Sequence, residues 1–342
     1  MRFPWSVTSI PLSSGPRGRV GSRGRSSPRA SRGHYQPPGA PTIDAPAPLS
    51  RALEGARALL LDGGLASALA ARGFSLDGPL WSARAADEAP GLLEEIHRTW
   101  AAAGVDVLET ATYQMTDEGL AREGRDEAGI AAAWRAAVAA ARTAARERET
   151  PPVVALSLGP WGVVRADGSE YRGDYALAGR ELEAFHAARL ARAPDLRTVA
   201  FETFPRLDEA RAALRALAAD PGREAWLSFT LDDRGRLPDG TDLETAARAL
   251  DGARGLVAIG VNCVAPGRVA PALRELRRGT ALPLVAYPNS GARDADGAWS
   301  REARDFDFRD GARAWREAGA RIIGGCCGVG PAAITAIARG IR

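Results

Sequence analysis

An alternation of two kinds of segment runs from about residue 55 to the C-terminus and constrains the fold more than any other feature. Short runs rich in Val, Ile and Leu alternate with longer stretches in which Ala, Arg and Glu recur at helical spacing. Regular strand–helix alternation is typical of a parallel sheet with right-handed crossover connections. The apolar runs predict strands at residues 58–62, 105–110, 153–158, 198–202, 225–230, 256–262, 284–287 and 321–324. The other stretches predict helices at 91–103, 126–148, 174–192, 207–219, 242–251, 266–277, 308–318 and 331–341.

Eight such units predict an α/β protein with the (β/α)8 TIM-barrel fold, which typically needs about 250 residues. We assign residues 51–342 to this barrel. A doubly wound open sheet is the alternative that the same alternation allows. In a barrel the chemistry belongs to side chains at the carboxyl ends of the strands, so we searched those positions for functional residues.

Residues 1–50 differ from the rest of the chain, since they are rich in Arg, Ser, Pro and Gly and lack periodic apolar residues. Such a segment buries too little apolar surface to offset its ordering entropy, which predicts a disordered extension. It holds seven arginines and a single acidic residue, Asp44, giving +6, so the remaining residues carry −3 of the total +3. The excess positive charge is confined to the extension, and we expect no nucleic-acid partner. An RNA-binding or targeting arm and a start codon placed too early are other interpretations of this segment.

Composition also excludes several classes of protein. The sequence contains no lysine, which excludes a P-loop lysine and a lysine Schiff base. No stretch approaches the roughly 20 apolar residues of a membrane span, so we expect a cytoplasmic protein with no membrane partner. Three cysteines, two of them adjacent, make a poor disulfide framework and favour metal binding or chemistry. Composition does not indicate an oligomeric state, so a monomer and a homo-oligomer are both compatible with the sequence.

Charged and aromatic residues occur where the predicted strands end. Glu202 ends the fourth strand, where a carboxylate in a barrel mouth favours ligand binding. Asp62 ends the first strand before two glycines, a position that suits ligand binding and turn capping equally well. Tyr113, Trp161 and Tyr287 follow other strands. Their aromatic faces would attract a sulfonium or ammonium cation, or would pack beneath a lid.

All three cysteines lie at predicted strand ends, with Cys263 after the sixth strand and Cys326 and Cys327 after the eighth. A single strand separates these positions, so the three thiolates can form three corners of a tetrahedral zinc site. Three protein ligands and one open position are typical of catalytic zinc, and soft thiolates favour a substrate thiol as fourth ligand. His97 and His186 fall in predicted helices, where we expect them to be exposed and away from this site.

Other interpretations of the same residues stay open. The adjacent cysteines also suit a vicinal disulfide, a redox pair or small buried side chains. The glycines of residues 324–330 lead into a helix and suit a phosphate site of the kind that barrels form after strands seven and eight. The phosphate interpretation gives no role to the cysteines.

Seven motifs at these strand ends resemble the homocysteine S-methyltransferases, a zinc-dependent barrel family. They occur in the family's order and span residues 58–342. The Asn-Cys motif followed by the separate Gly-Gly-Cys-Cys motif is the most specific pair. The motifs are Asp-Gly-Gly (62–64), Thr-Ala-Thr-Tyr-Gln (110–114), Ser-Leu-Gly-Pro-Trp-Gly (157–162), Glu-Thr-Phe-Pro (202–205), Val-Asn-Cys (261–263), Tyr-Pro-Asn-Ser-Gly (287–291) and Gly-Gly-Cys-Cys (324–327).

The resemblance implies that one Zn²⁺ per chain is bound by Cys263, Cys326 and Cys327, with the homocysteine sulfur in the fourth position. It implies that Asp62 and Glu202 lie near the amino acid part of homocysteine. We expect no catalytic residue beyond the zinc site. The remaining predicted substrate contacts come from the motifs and are Thr110, Tyr113, Gln114, Trp161, Asn262, Tyr287 and Asn289.

The implied function is methyl transfer from a sulfonium donor, S-methylmethionine or S-adenosylmethionine, to homocysteine, which forms methionine. The Tyr113–Gln114 pair and the Tyr-Pro-Asn-Ser-Gly motif are similar to the S-methylmethionine branch of the family. Thr203 stands where the betaine branch has tyrosine. The alternatives are a zinc-dependent methyltransferase for another thiol or selenol, and a zinc- and thiol-binding barrel without catalysis. The partners expected are small molecules.

Overall fold

The computed structural model describes residues 49–78, 80–291 and 305–342. The predicted disordered extension lies outside the described residues except for its last two positions, and it stays a prediction. The first described helix, α1 (Leu49–Glu54), begins at those two positions. Across the described ranges, no helix combines the length and the apolar character that crossing a membrane requires.

Eight parallel strands form the centre of the structure. Their hydrogen-bonding order is β1-β8-β7-β6-β5-β4-β3-β2, and a parallel bridge between Leu61 and Val107 joins the two ends of this order. The sheet therefore closes into a barrel, which confirms the TIM-barrel prediction and excludes the open doubly wound sheet. The strands are β1 (Leu59–Leu60), β2 (Val107–Glu109), β3 (Val153–Leu158), β4 (Thr198–Phe204), β5 (Glu224–Phe229), β6 (Leu256–Asn262), β7 (Leu284–Tyr287) and β8 (Ala320–Ile323).

Helices alternate with the strands, as the periodicity predicted. Two short 3-10 helices, Trp81–Arg84 and Trp161–Arg165, lie in connections between them. After α1, the helices are α2 (Leu65–Ala70), α3 (Ala85–Glu88), α4 (Pro90–Ala102), α5 (Asp117–Arg122), α6 (Glu127–Arg146), α7 (Ser169–Arg172), α8 (Arg180–Ala191), α9 (Leu207–Ala218), α10 (Leu243–Leu250), α11 (Pro266–Gly279), α12 (Phe308–Glu317) and α13 (Pro331–Ile341).

Alternate strand residues separate an inner core from an outer one, because successive side chains in a strand point to opposite faces. On β3, Val154 and Leu156 face outward into the apolar layer shared with the helices. Val153 and Ala155 face the barrel interior, where they join inward residues of the other strands, including Trp226. The interior is therefore a packed core, and space for chemistry remains only near its ends.

Helix α1 covers the amino-terminal end of the barrel. Its Leu49 and Leu53 pack with the inward-facing residues of the strands. Glu224, at the start of β5, accepts hydrogen bonds from the backbone N–H groups of Leu49 and Ser50, the latter at 3.1 Å. These contacts satisfy two backbone donors at the beginning of the helix. With this end covered, the carboxyl ends of the strands are the place for a site.

Strand β4 extends beyond its predicted end at Glu202 to Phe204. Its pairing with β5 shifts register between Phe201 and Phe204, and Thr203 between them has a left-handed φ of 64°. A non-glycine residue in this region is strained and needs surrounding contacts to hold it. The strained turn lies beside Glu202, at the end of the barrel where the candidate site forms.

Both helical histidines are buried, so the prediction that they are exposed was wrong. His97 on α4 is 1% exposed, and His186 on α8 is 0% exposed. The His186 ring stacks on Phe204 at 5.4 Å and its Nε2 lies 3.0 Å from Glu209 Oε1. Helical spacing predicted the two helices, but polarity alone did not reveal which of their faces the histidines occupy.

Candidate active site and metal centre

The three cysteines meet at the carboxyl end of the barrel. Cys263 follows β6, and Cys326 and Cys327 follow β8. Their three sulfur atoms all lie within 4.8 Å of one another. All three are present as thiols rather than disulfides, so the vicinal disulfide alternative does not describe this structure. The predicted convergence of the cysteines across β7 is confirmed.

Backbone hydrogen bonds between the loops after β6, β7 and β8 hold the cysteines in place. The Cys263 N–H donates to the Tyr287 carbonyl at 3.0 Å, and the Cys326 N–H donates to the Pro288 carbonyl at 2.8 Å. The Asn289 side-chain Nδ2 donates to the Cys263 carbonyl at 2.9 Å. Asn289, a predicted substrate contact, thus orients a cysteine in this structure. Cys263 itself has a left-handed φ of 51°, a strained conformation that these bonds maintain.

Gly64 allows the cysteine loop to approach the loop after β1. A Cβ atom at this position would lie 2.4 Å from the Cys326 carbonyl oxygen and 3.3 Å from Cys327 Cα. The φ of Gly64 is −67°, which any residue can adopt. Glycine is needed here because the two backbones touch, and not because of its conformational freedom. The glycine pair after Asp62 is therefore part of the support of the cysteine cluster.

Crowding and burial raise the pKa of two of the thiols. The hydrogen bond with Cys326 lowers the pKa of Cys263, but the hydrogen bond with Cys327 and burial raise it to about 12. Hydrogen bonds with Cys263 and Cys327, followed by burial, raise the pKa of Cys326 well above its usual value. Crowded, buried thiols stay protonated near neutral pH unless a metal ion stabilises their thiolates. The three cysteines together can bind a metal ion.

Two further side chains contact the cysteine sulfurs. The Tyr171 hydroxyl, on α7, lies 3.4 Å from Cys263 Sγ. Asn262 Nδ2 lies 3.9 Å from Cys326 Sγ and donates to Thr203 Oγ1 at 2.8 Å. Hydrogen-bond donors of this kind orient sulfur ligands and tune their charge. Tyr171 carries no signal of this role in the sequence, because it follows β3 by more than ten residues.

Asn262 is fully buried and all of its hydrogen-bonding groups are used. Its Oδ1 accepts from the Thr203 N–H at 2.7 Å and from Ser228 Oγ at 2.8 Å. The Tyr287 hydroxyl lies 2.6 Å from Ser228 Oγ and accepts from Trp226 Nε1 at 3.1 Å. This network ties the strained Thr203 to β5, β6 and β7. The two predicted substrate contacts in it, Asn262 and Tyr287, are placed to position other groups around the cysteines.

Three carboxylates lie together at the same end of the barrel, two of them buried and one half-buried. Asp62, at the end of β1, is 3% exposed, and Glu202 on β4 is 6% exposed. The third is Glu109 on β2, whose backbone N–H donates to Asp62 Oδ2 at 2.9 Å. Within the described part of the chain, Asp62 Oδ1 and Glu109 Oε1 are buried and have no hydrogen-bond partner. Buried acceptors without partners cost free energy, which a cationic ligand would recover.

The pKa values of these carboxylates reflect the crowding. Burial raises the pKa of Asp62 well above its usual value, and the Glu202 charge adds to the shift against a lowering hydrogen bond from Glu109. Burial, with the charges of Glu202 and Asp62, likewise raises the pKa of Glu109. Burial raises the pKa of Glu202 to about 7, although a hydrogen bond from Ser157 lowers it. A positive charge placed among the three would favour their ionised forms.

The loop after β2 is fixed by a buried arginine from α8. The Arg189 guanidinium is 2% exposed and donates to four backbone carbonyls. These belong to Thr112 at 3.1 Å, Tyr113 at 2.7 Å, Met115 at 3.0 Å and Gly159 at 2.6 Å. Arg189 therefore joins the loops after β2 and β3, and it was missed because it lies in a helix without a motif.

The predicted contacts of the β2 loop differ in their surroundings. Thr110 Oγ1 lies 2.6 Å from Thr112 Oγ1 and accepts from the Ser157 N–H at 3.2 Å, so it supports the loop. Gln114 is 7% exposed, and within the described residues its Oε1 is buried without a partner. Burial, followed by the charge of Glu170, raises the pKa of Tyr113 well above its usual value. Within the described residues, the Tyr113 hydroxyl is likewise buried without a partner, so both side chains keep a polar group that a ligand could bind.

Trp161 is placed in a different environment from the other predicted contacts. Its ring lies 5.2 Å from that of Tyr175 in a small apolar cluster with Leu182 and Ala212. Its backbone N–H donates to the buried Glu209 Oε1 at 2.6 Å. The described contacts of Trp161 therefore anchor the loop after β3, and its substrate contact stays a prediction.

Glu109 is the carboxylate that the motif search missed, although the sequence holds its signal. The predicted second strand includes it, and two residues earlier Val107 faces the barrel interior. The two-residue period of a strand places Glu109 on the same inward face. Glu170, next to Tyr171 on α7, was also missed, because α7 lies in a connection outside the predicted strands and helices.

Similarity to known proteins is extensive. A sequence model of the homocysteine S-methyltransferase family matches residues 59–341. A curated homocysteine S-methyltransferase of Escherichia coli strain K12 is 42% identical over 301 residues, which cover 85% of this chain and 97% of that relative. Homocysteine S-methyltransferase YbgG of Bacillus subtilis strain 168 is 36% identical over 308 residues, covering 86% of this chain and 98% of that protein.

A solved structure agrees with the sequence comparisons. The crystal structure of the homocysteine methyltransferase MmuM from Escherichia coli, in its metallated form, has a TM-score of 0.76 and 40% identity to this chain. The match covers 85% of this chain and 98% of that structure. The family and the enzyme class predicted from the motifs are confirmed. The chain belongs to the homocysteine S-methyltransferase family and is a methyltransferase that acts on homocysteine.

Proposed function

We propose that this chain is a zinc-dependent homocysteine S-methyltransferase that takes its methyl group from a sulfonium donor, S-methylmethionine or S-adenosylmethionine, and forms methionine. The observation that carries the proposal is the meeting of three cysteine sulfurs within 4.8 Å of one another at the barrel mouth. The site requires reduced thiols, so we propose that the enzyme works in a reducing compartment, the cytoplasm.

Zinc is the metal that the donor set fits best. Cys263, Cys326 and Cys327 would supply three soft thiolate ligands, a set typical of zinc with one position left for substrate. When bound, zinc supplies a Lewis acid that keeps a coordinated homocysteine sulfur as a nucleophilic thiolate near neutral pH. The metallated form of a relative at 40% identity supports a metal at this site.

The carboxylate group would bind the amino end of homocysteine. Burial raises the pKa of Asp62 and Glu202, and the positive charge of an amino acid's ammonium group would favour their ionised forms. The unpartnered Asp62 Oδ1 and Glu109 Oε1 offer hydrogen-bond acceptors for it. Charge-assisted hydrogen bonds in a dry site are strong and directional, so they would orient the amino acid with its sulfur toward the cysteines.

The remaining chemistry requires positioning rather than proton transfer. The homocysteine sulfur forms a new bond to the methyl carbon, while the bond from this carbon to the donor sulfur breaks and its electron pair stays on a neutral thioether. No general acid is needed, because the leaving group is neutral. Thiolate and sulfonium neutralise each other along this path, which a buried, low-dielectric site favours. The chain's own contribution is to hold the two sulfurs in line and exclude water.

A donor and acceptor panel tests this function. Purified protein with measured zinc content is supplied with homocysteine and S-methylmethionine, S-adenosylmethionine or betaine, and methionine is quantified. We expect turnover with a sulfonium donor and none with betaine, because Thr203 replaces the tyrosine of the betaine branch. Turnover only with another thiol or selenol would move the assignment to that acceptor. Homocysteine binding without turnover on any donor would show a binding protein instead.

A further inference from the structure

A short segment after β3 lies over the cysteine cluster. It consists of the 3-10 helix Trp161–Arg165 and the helix α7 (Ser169–Arg172). Its Tyr171 hydroxyl reaches to 3.4 Å from Cys263 Sγ, which fixes α7 beside the metal ligands. The residue before Tyr171 is Glu170, a carboxylate that the steps described above do not use.

Glu170 is buried and forms no ion pair with another residue that the structure describes. It is 8% exposed, and its Oε2 has no hydrogen-bond partner within the described ranges. Burial raises the pKa of Glu170 to about 7 against the lowering charge of the neighbouring Arg172. The hydrogen bonds of Arg172 go instead to the Asp174 carboxylate at 2.8 Å and to the Asp167 carbonyl at 2.9 Å. A buried carboxylate oxygen without a hydrogen-bond partner lowers the free energy of unfolding unless a ligand binds to it.

Glu170 lies near the cysteines, on a different element from Asp62, Glu109 and Glu202. Beyond the effect of burial, its charge raises the pKa of Tyr113 and of Tyr171, and the charge of Cys263 raises the pKa of Glu170 itself. The charges that raise the pKa of Asp62 and Glu109, after burial, come from within the carboxylate group, and the charge of Cys263 also raises the pKa of Glu202. The site therefore has carboxylates in two places, at the ends of β1, β2 and β4 and on α7, and the charge of Cys263 acts on both.

The backbone of Glu170 is held in place by close packing. A Cβ atom on Gly162 would lie 2.4 Å from the Glu170 backbone nitrogen and 2.6 Å from the Ser169 carbonyl carbon. The 3-10 helix and α7 are thus in direct backbone contact. Ser169 is fixed in turn by a hydrogen bond from its N–H to Asp167 Oδ1 at 2.9 Å. A preorganised carboxylate binds a cation at little cost in conformational entropy.

We propose that Glu170 is the counter-ion of the sulfonium group of the methyl donor. The inference rests on the proposed function, because that reaction places a sulfonium next to the sulfur held at Cys263, Cys326 and Cys327. The carboxylates at the ends of β1, β2 and β4 serve the amino end of homocysteine, and Glu170 serves the positive charge of the donor. The ammonium group of homocysteine and the sulfonium group of the donor then each have their own carboxylates.

This role predicts a particular kinetic signature. The sulfonium loses its positive charge as the methyl group moves, so Glu170 stabilises the bound donor more than the transition state. Loss of the Glu170 charge therefore weakens donor binding and raises the donor KM, while kcat stays unchanged or rises. A residue that only supports the fold would lower kcat or zinc content instead. Glu170 takes no proton and forms no bond in the reaction.

The test compares donor binding with that of a neutral copy of the donor. In 2-amino-5-methylhexanoic acid, a carbon replaces the sulfonium sulfur of S-methylmethionine and the ammonium and carboxylate are kept. Calorimetry on the zinc-loaded protein gives Kd for both, and we expect the wild type to prefer the sulfonium. Glu170→Gln should raise the Kd of S-methylmethionine by about tenfold or more, leaving that of the carbon analogue nearly unchanged. Glu170→Asp should fall between the two.

Asp174→Asn is the matched control, since it removes a carboxylate, 47% exposed in its side chain, that lies between α7 and α8. It should leave both Kd values as in the wild type. If Glu170→Gln raised the Kd of both ligands equally, Glu170 would act on the ammonium group or on the fold, and the proposal would be overturned. Equal Kd values of the wild type for S-methylmethionine and the carbon analogue would also overturn it. The Kd measurement does not require turnover. A failure to form methionine therefore counts against the proposed function and not against the role of Glu170 in binding.

Discussion

Replacing Gly64 by alanine tests whether the close approach of two loops sets the geometry of the metal centre. The new Cβ would lie 2.4 Å from the Cys326 carbonyl oxygen, about 1 Å short of ordinary van der Waals contact. The contact is with backbone, so no side chain can rotate away. Overpacking of this kind costs about 1–3 kcal/mol of unfolding free energy. A site held to within roughly 0.5 Å would not tolerate such a shift of its ligand loop.

We therefore expect Gly64→Ala to fold with reduced stability and to bind zinc about 10–100-fold more weakly, as changes beside metal ligands commonly do. Competition with a chromogenic chelator measures the zinc affinity, and thermal unfolding of the metal-free protein measures the stability. Gly267→Ala is the control, since no atom lies within 4 Å of its added Cβ. Wild-type zinc affinity in Gly64→Ala would refute the reasoning that backbone contact holds Cys326 in place.

Three further changes test buried groups. Glu109→Gln should raise the thermal unfolding midpoint of the ligand-free protein at pH 8 but not near pH 4.5, because burial raises the pKa of Glu109 and its charged form destabilises the fold. Burial lowers the pKa of His97 in the folded protein to about 4, so as the pH falls the unfolded chain takes up the proton first. The wild type should therefore lose about 3 kcal/mol of unfolding free energy between pH 6.5 and pH 4 in denaturant titrations, and His97→Leu should not show this loss. Arg189→Met should cost at least about 3 kcal/mol in the same titrations, because it leaves four backbone carbonyls without their donor. Unchanged unfolding curves in any of the three would contradict the corresponding argument.

Strand–helix alternation was sufficient to predict the barrel, because eight apolar runs at regular spacing allow few other folds. The details that it did not give depend on contacts between distant residues. The extension of β4 to Phe204 requires the strained Thr203, which Asn262 on β6 holds by two hydrogen bonds. The packing of α1 into the barrel end depends on Glu224, 175 residues from Leu49. Local periodicity contains neither relationship.

The cysteine cluster was predictable because three rare residues stand at strand ends that the fold brings together. Glu109 was missed because it was read as part of a strand, although its alternation with Val107 places it inside. Glu170 and Tyr171 belong to an irregular connection, whose path over the site is set by packing around Gly162 and has no local signal. Strand ends can be found from a sequence, whereas the side chains that long loops bring back to the site require the structure.

The most direct test of the central claim is methionine formation from homocysteine and S-methylmethionine before chelation, after chelation and after zinc is returned. We expect turnover in the wild type, its loss on chelation and its recovery with one zinc per chain, because three thiolates and a substrate sulfur complete one tetrahedral site. Cys326→Ser should lose zinc and turnover together. Full turnover in chelated protein, or in Cys326→Ser with zinc retained, would contradict the account.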